Sequence, residues 1–183
     1  MTTYLKSHLT IPEIIESKWH PHLKRKVLFP EVLKEKVLQF KTEGKKIVTL
    51  NGSFDLMHSG HLKILSEAFD QKKQSGILIV ALNSDASIQS YKSKNRPIID
   101  LIFRLEMMAS CEFVDFITWF EEDNPIKLLK DICPDIHVNG SEYRHSCIEQ
   151  DAVIEGGGVV HFVERVEGLS TSAIIKKIEG LRN

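Results

Sequence analysis

Gly76-Ile77-Leu78-Ile79-Val80-Ala81-Leu82 is an unbroken apolar run near the middle of the chain. A strand with one face in water alternates apolar and polar residues; a run without alternation belongs to a strand buried on both faces. It therefore asks for a sheet with a layer on each side. Ile47 to Leu50, Phe113 to Trp119, Asp135 to Val138 and Val159 to Val163 read as four more strands. Helical spacing fills the gaps. Leu62, Leu65 and Phe69 share one face of a helix ending near Lys73, and Ile99, Ile102, Leu105, Met108 and Ala109 line another over 98–110. Asn124-Pro125 opens a third through Ile126, Leu129 and Ile132, stopped by Pro134, and 170–181 forms the last.

Strands alternating with helices imply a parallel sheet covered on both faces. The expected fold class is α/β: a Rossmann-like, doubly wound, parallel five-stranded sheet over 45–183, with an N-terminal helical extension over 1–44. In that extension Thr10 is a candidate N-cap with Pro12 two residues on. Lys18-Trp19-His20-Pro21-His22 reads as a proline-broken turn. Pro30 opens a helix over Glu31 to Phe40 with Leu33, Val37 and Phe40 on one face, and Gly44 stops it. His20 and His22 have no carboxylate or cysteine at ligand spacing, so a packed or solvated turn is the better reading than a metal site. The extension is expected to pack on the main domain or to serve dimer contacts.

Composition narrows the class of partner. The 183 residues suffice for one domain with a full core, and the net charge of −1 does not point to nucleic acid or to an anionic membrane. Cys111, Cys133 and Cys147 lack Cys-x-x-Cys spacing, and an odd, sparse set fits a reducing compartment. No apolar run approaches the roughly 20 residues of a membrane span, and no signal-peptide pattern opens the sequence. A cytoplasmic protein without a nucleic-acid or membrane partner is expected.

Chemistry concentrates at Asn51-Gly52-Ser53-Phe54-Asp55-Leu56-Met57-His58-Ser59-Gly60-His61, where the first strand turns into a helix. Free backbone N–H groups and the positive end of a helix dipole gather there, and phosphates bind such places. Gly52 and Gly60 let the backbone approach an anion, and His58 and His61, one helical turn apart, can face the same pocket. Asn83-Ser84-Asp85-Ala86-Ser87 follows the second strand and either caps the next helix or meets the nucleotide. Lys92, Lys94 and Arg96 lie beyond the same sheet edge, where a cationic loop can close over a polyphosphate. Gly168-Leu169-Ser170-Thr171-Ser172 opens the last helix as a second anion cradle.

His58-Ser59-Gly60-His61 after Asn51-Gly52-Ser53-Phe54-Asp55 resembles the His-x-Gly-His signature of the cytidylyltransferase-like nucleotidyltransferases. The stretch from Arg165 to Ser172 is similar to their Arg-Thr-Glu-Gly-Ile-Ser-Thr-Thr segment. The resemblance covers about residues 45 to 181. It implies that His58 and His61 hold the triphosphate and stabilise the transition state. It places Asn51, Gly52, Ser53, Phe54, Asp55, Gly60, Asn83, Asp85, Arg96, Gly140, Glu142, Gly168, Ser170, Thr171 and Ser172 around the nucleotide and its phosphates. Lys92, Lys94, Arg104 and Arg165 become candidates for the acceptor phosphate. Asp55 is left between orienting the loop and meeting a metal through water.

Within that family the likeness is greatest to the adenylyltransferase domain that makes ADP-heptose from heptose 1-phosphate. Asn83 to Ser87, Arg96-Pro97, Phe120 to Pro125 and Pro134 to Val138 carry it. There are departures: Asn139 and Ser141 stand where that group has a lysine and a glycine, and Ser53 replaces a cysteine. Arg165-Val166-Glu167-Gly168 is more like glycerol-3-phosphate cytidylyltransferase. The implied reaction is attack of an acceptor phosphate on the α-phosphorus of ATP, with magnesium bridging the phosphates, no direct protein ligand to the metal, and pyrophosphate leaving. A CTP-dependent polyol-phosphate enzyme and a nucleotide-binding regulatory module without turnover are the alternatives. The resemblance also implies a homodimer.

Overall fold

The computed structural model describes residues 9–164, 166 and 168–181. Five parallel strands, β1 (Ile47–Gly52), β2 (Ile77–Asn83), β3 (Phe116–Phe120), β4 (Ile136–Gly140) and β5 (Val159–Val163), form one sheet in the order β3-β2-β1-β4-β5. The chain winds outward from β1 in one direction, then returns to start β4 on its other side. The switch in direction therefore falls between β1 and β4, where Val48 sits opposite Ile136 and Leu50 opposite Val138. Open α/β sheets bind ligands at such a point, outside the strand C-terminal ends.

Period-two burial divides the core between the faces. Val48, Leu50, Leu78, Val80, Leu82, Ile117 and Trp119 face one side, and Ile47, Ile77, Ile79, Ala81 and Phe120 the other. All seven residues of β2 are buried, as its unbroken apolar run requires. The first face is covered by α4 (Ser59–Lys72) through Leu65 and Ala68, and by α6 (Leu101–Ala109) through Leu101, Ile102, Leu105 and Met108. The second is covered by α3 (Pro30–Thr42) through Leu33 and Val37, and by α7 (Ile126–Ile132) through Leu128 and Ile132. α5 (Asp85–Tyr91), α8 (Gln150–Glu155) and α9 (Thr171–Gly180) complete the crossovers and the C-terminal end.

The N-terminal helices share these cores. α1 (Ile11–Lys18) starts at Thr10, whose backbone N–H and hydroxyl both donate to the Glu13 carboxylate. It buries Ile14 and Ile15, with Trp19 beyond its end, in the first core. α2 (Pro21–Lys24) is a single turn where the sequence suggested only a break, because the His20 ring accepts from the His22 N–H and caps it. Val27 then bridges β3 in parallel: the Leu28 N–H donates to the Ile117 carbonyl, and the Ile117 N–H to the Lys26 carbonyl. Among the described residues no helix is long and apolar enough to cross a membrane.

Candidate active site

A cavity of about 700 Å³ opens over the C-terminal ends of the strands. That volume suits a small-molecule substrate. At its centre the chain leaves β1 and enters α4 through a loop that its own side chains lock. Phe54 and Leu56 both have φ of 47°, in the left-handed region that costs a side-chain-bearing residue on the order of 1 kcal/mol. Asp55 between them offsets that cost. Its carboxylate is fully buried and accepts from Arg96 Nε at 3.0 Å and Nη2 at 2.7 Å, and from the N–H groups of Ile98 and Ile99 at about 3.0 Å. Burial alone would raise its pKa, but these donors together hold it below the usual carboxylate range. Both oxygens are therefore committed, and Asp55 orients the loop. Asp55 does not line the cavity.

His58 is the N-cap of α4 and His61 the third residue of that helix, and the two close a capping box. His58 Nδ1 accepts from the Gly60 N–H at 3.2 Å, and His61 Nδ1 accepts from the His58 N–H at 3.3 Å. With Nδ1 accepting, each ring presents Nε2–H as a donor. The two rings stack at 3.9 Å, and Phe54 lies against His61 at 5.4 Å. Burial, then the neighbouring His58 and Lys92, push His61 down to about 4 against the opposing pull of Asp55. It is neutral at physiological pH. A Cβ on Gly60 would lie 2.9 Å from the His58 ring, so glycine here makes room for that ring.

The second cradle differs from its expectation. At the start of α9, Ser170 Oγ accepts from the Ala173 N–H at 3.1 Å, and Thr171 Oγ1 donates to the Asp55 carbonyl at 2.7 Å. Ser170 is thus an N-cap, and the Thr171 hydroxyl ties α9 to the β1 loop. What this end offers toward the cavity is the first-turn N–H groups of Thr171 and Ser172, which have no acceptor within the helix. Ser170, Thr171 and Ser172 all line the cavity. Gly168 makes the preceding turn with φ of 75°, off the cavity wall.

Several other expected residues are brought together and several are not. Asn51, Gly52, Ser53, Phe54, Asn83, Lys92, Arg96, Gly140 and Glu142 line the cavity. Lys92 Nζ donates to Ser53 Oγ at 3.0 Å, spanning the gap between α5 and the β1 loop. Arg104 is a correction. Its guanidinium is 0% exposed and donates to the carbonyls of Ile99, Ser53 and Asn83 and to the Asp85 carboxylate. It stands behind the wall as a strut and offers nothing to an acceptor phosphate. Asp85 is likewise structural, capping α6 at the Leu101 N–H and pairing with Arg104 at 2.7 Å. Lys94 is exposed and outside the cavity, and Arg165 lies outside the described residues.

Sequence reasoning missed Tyr91, Tyr143 and Glu149 on the cavity wall. The two tyrosines sit at an exposed helix end and in the 3-10 turn Ser141–Tyr143, and Glu149 stands in a polar stretch, so none carries a periodic signal.

Two helix N-termini open on one cleft at the sheet's switch point, the arrangement in which α/β proteins of the nucleotide-handling kind bind phosphate. Residues 49–177 match the cytidylyltransferase-like family model, and the chain belongs to that family. It is 42% identical over 150 residues to the bifunctional protein HldE of Campylobacter jejuni subsp. doylei, covering 80% of this chain and 31% of that one. It is 38% identical over 152 residues to the protein of the same name from a Marinomonas species, covering 82% and 31%. The chain thus spans about a third of the length of these relatives. Among solved structures, the lipopolysaccharide core biosynthesis protein of Thermoplasma volcanium superposes with a TM-score of 0.51 at 24% identity, over 66% of this chain and 96% of that one. Pantoate-beta-alanine ligase of Francisella tularensis gives 0.51 at 16% identity, over 77% and 70%, and shares the fold.

Proposed function

We propose that the chain is a nucleotidyltransferase that joins AMP from ATP to a sugar 1-phosphate, heptose 1-phosphate above others, and releases pyrophosphate. The observation that carries this reading is the stacked histidine pair, both rings fixed as Nε2–H donors at the mouth of α4. An acceptor phosphate is already an anion and needs no strong base, so catalysis rests on alignment and on stabilising charge as it builds on the α-phosphate and the leaving group. His58 and His61 donate to those oxygens, and the first-turn N–H groups of α4 and α9 add fixed dipoles. Lys92 and Arg96 give the cavity a cationic wing beside β2, suited to the acceptor phosphate. The resemblance to the ADP-heptose-forming domain and the relatives named HldE favour ATP and the heptose phosphate as the pair.

Among the described residues no three His, Cys, Asp or Glu side chains come together to hold a metal ion. Magnesium accordingly fits here as an ion carried in on the triphosphate, held by substrate oxygens, neutralising their charge. A cytoplasmic homodimer is part of the same proposal; light scattering reads its mass.

Pyrophosphate release with magnesium, crossing ATP and CTP with heptose 1-phosphate and glycerol 3-phosphate, tests the reading. Turnover confined to ATP with the heptose phosphate is expected. Turnover confined to CTP with glycerol phosphate would move the protein to a polyol-phosphate cytidylyltransferase, and silence in all four would sink both.

A further inference from the structure

The cavity has a second wing, over the ends of β4 and β5, and its chemistry is opposite to the first. Lys92 and Arg96 face the ligand beside β2. Across the switch point the wall carries Glu142, Glu149 and Glu164 among Ile148, Val163 and Leu169. A phosphate is repelled by such a wall, so among the described residues the β4–β5 wing suits the uncharged end of the nucleotide.

Glu149 is the unusual member. It is 8% exposed, and the donors the structure gives its carboxylate are both neutral and long. Asn139 Nδ2 lies at 3.4 Å and the Cys147 thiol at 3.5 Å from Oε2. Charge-assisted hydrogen bonds to a carboxylate run near 2.8 Å, and buried carboxylates ordinarily have such partners. Asn139 cannot turn to do more, because its Oδ1 accepts from the Gly140 N–H at 2.9 Å and fixes the amide. Among the described residues Glu149 is thus a pre-positioned acceptor on this wall, short of one good donor.

Resting on the transferase reading above, we propose that Glu149, held by Asn139, selects nucleotides by the amino group at C6 of adenine or C4 of cytosine. Adenine and cytosine present an N–H donor there, whereas guanine and uracil present a keto oxygen. A carboxylate fixed opposite that position accepts from the first pair and repels the keto oxygen of the second, whose N–H donors lie elsewhere on the ring. A site that hydrogen-bonds a substrate group discriminates strongly against analogues that leave it unpaired.

The test is direct binding of ATP, CTP, GTP and UTP with magnesium, by titration calorimetry, to the wild type and to Glu149→Gln and Glu149→Ser. It needs no acceptor and no turnover. The wild type is expected to bind the better amino-bearing nucleotide at least about tenfold more tightly than either keto one. Glutamine can offer an amide N–H from the same place, so Glu149→Gln narrows that ratio by about tenfold, partly by gaining GTP or UTP. Glu149→Ser removes the acceptor and flattens the preference without such a gain. Thermal melting of each variant shows that it is folded. Equal weakening of all four nucleotides in the variants overturns the inference and leaves the transferase reading standing. Failure of the wild type to bind any nucleotide overturns both.

Discussion

At the scale of single residues, the histidines decide the chemistry and much of the pH behaviour. His61 is neutral above about pH 4, and it enters the reaction as a hydrogen-bond donor, so kcat/KM should show no ionisation of this ring between pH 6 and 8. His61→Ala is expected to lower kcat by on the order of 100-fold while the melting temperature stays within a few degrees. Unchanged turnover would remove the ring from the mechanism. His137 on β4 has a purely structural pH effect. It is buried against Thr49, with Oγ1 and Nδ1 2.9 Å apart, and burial pushes it down to about 4. The unfolded chain takes up this proton first as pH falls, since its imidazole has the ordinary value of 6.5. The stabilisation is therefore complete above about pH 6.5 and is lost between there and pH 4, to the extent of about 3 kcal/mol. Urea titrations across that window should show the decline in the wild type and a shallower one in His137→Asn. Parallel curves would acquit His137.

Among elements, the question is what keeps α4, α9 and the segment after α5 in one arrangement. Asp55 is their common anchor, through its carboxylate to Arg96, Ile98 and Ile99 and through its carbonyl to Thr171. Asp55→Ala leaves a partly buried guanidinium and two N–H groups without acceptors, and about 3–5 kcal/mol of stability should be lost in urea unfolding. Arg104→Lys keeps the charge but loses the fork that reaches four acceptors, so it should lower stability with little change in acceptor KM. The reverse outcome, a raised KM at unchanged stability, would return Arg104 to the acceptor site. This was also where the sequence was least informative. His58-Ser59-Gly60-His61, the strand before it and the helix after it were legible from spacing and apolar pattern. So was the run of residues opening α9. That Thr171 ties down a loop and that Arg104 pairs with Asp85 as a strut depend on contacts across 116 and 19 residues of sequence, which no local period encodes. The strands were legible for a similar reason in reverse. β5 came out as Val159–Val163, as its apolar run indicates, whereas the reading of Phe113 to Trp119 began three residues early because Phe113 and Val114 are apolar for packing under α6.

For the molecule as a whole, the first 44 residues are part of the account of stability. α1 and Trp19 lie in one core and α3 in the other, so removing residues 1–44 strips apolar cover from both faces of the sheet. The truncated chain is expected to be largely insoluble or to melt well below the intact one, by differential scanning calorimetry; an unchanged melting temperature would show that the sheet stands without them. A parallel five-stranded sheet also has two margins, and they are unequal here. On the β3 side, Val27 and its neighbours occupy the hydrogen-bonding groups of Ile117, while on the other side β5 begins at Val159, which is 60% exposed. Sideways recruitment of a foreign strand, whether in a crowded refolding mixture or in a fibre, meets a partly obstructed margin at β3 and, among the described residues, no paired segment at β5. Growth of that kind is directional: it would advance from β5 outward, and a lysine or proline set into that strand's outer row would be the place to stop it.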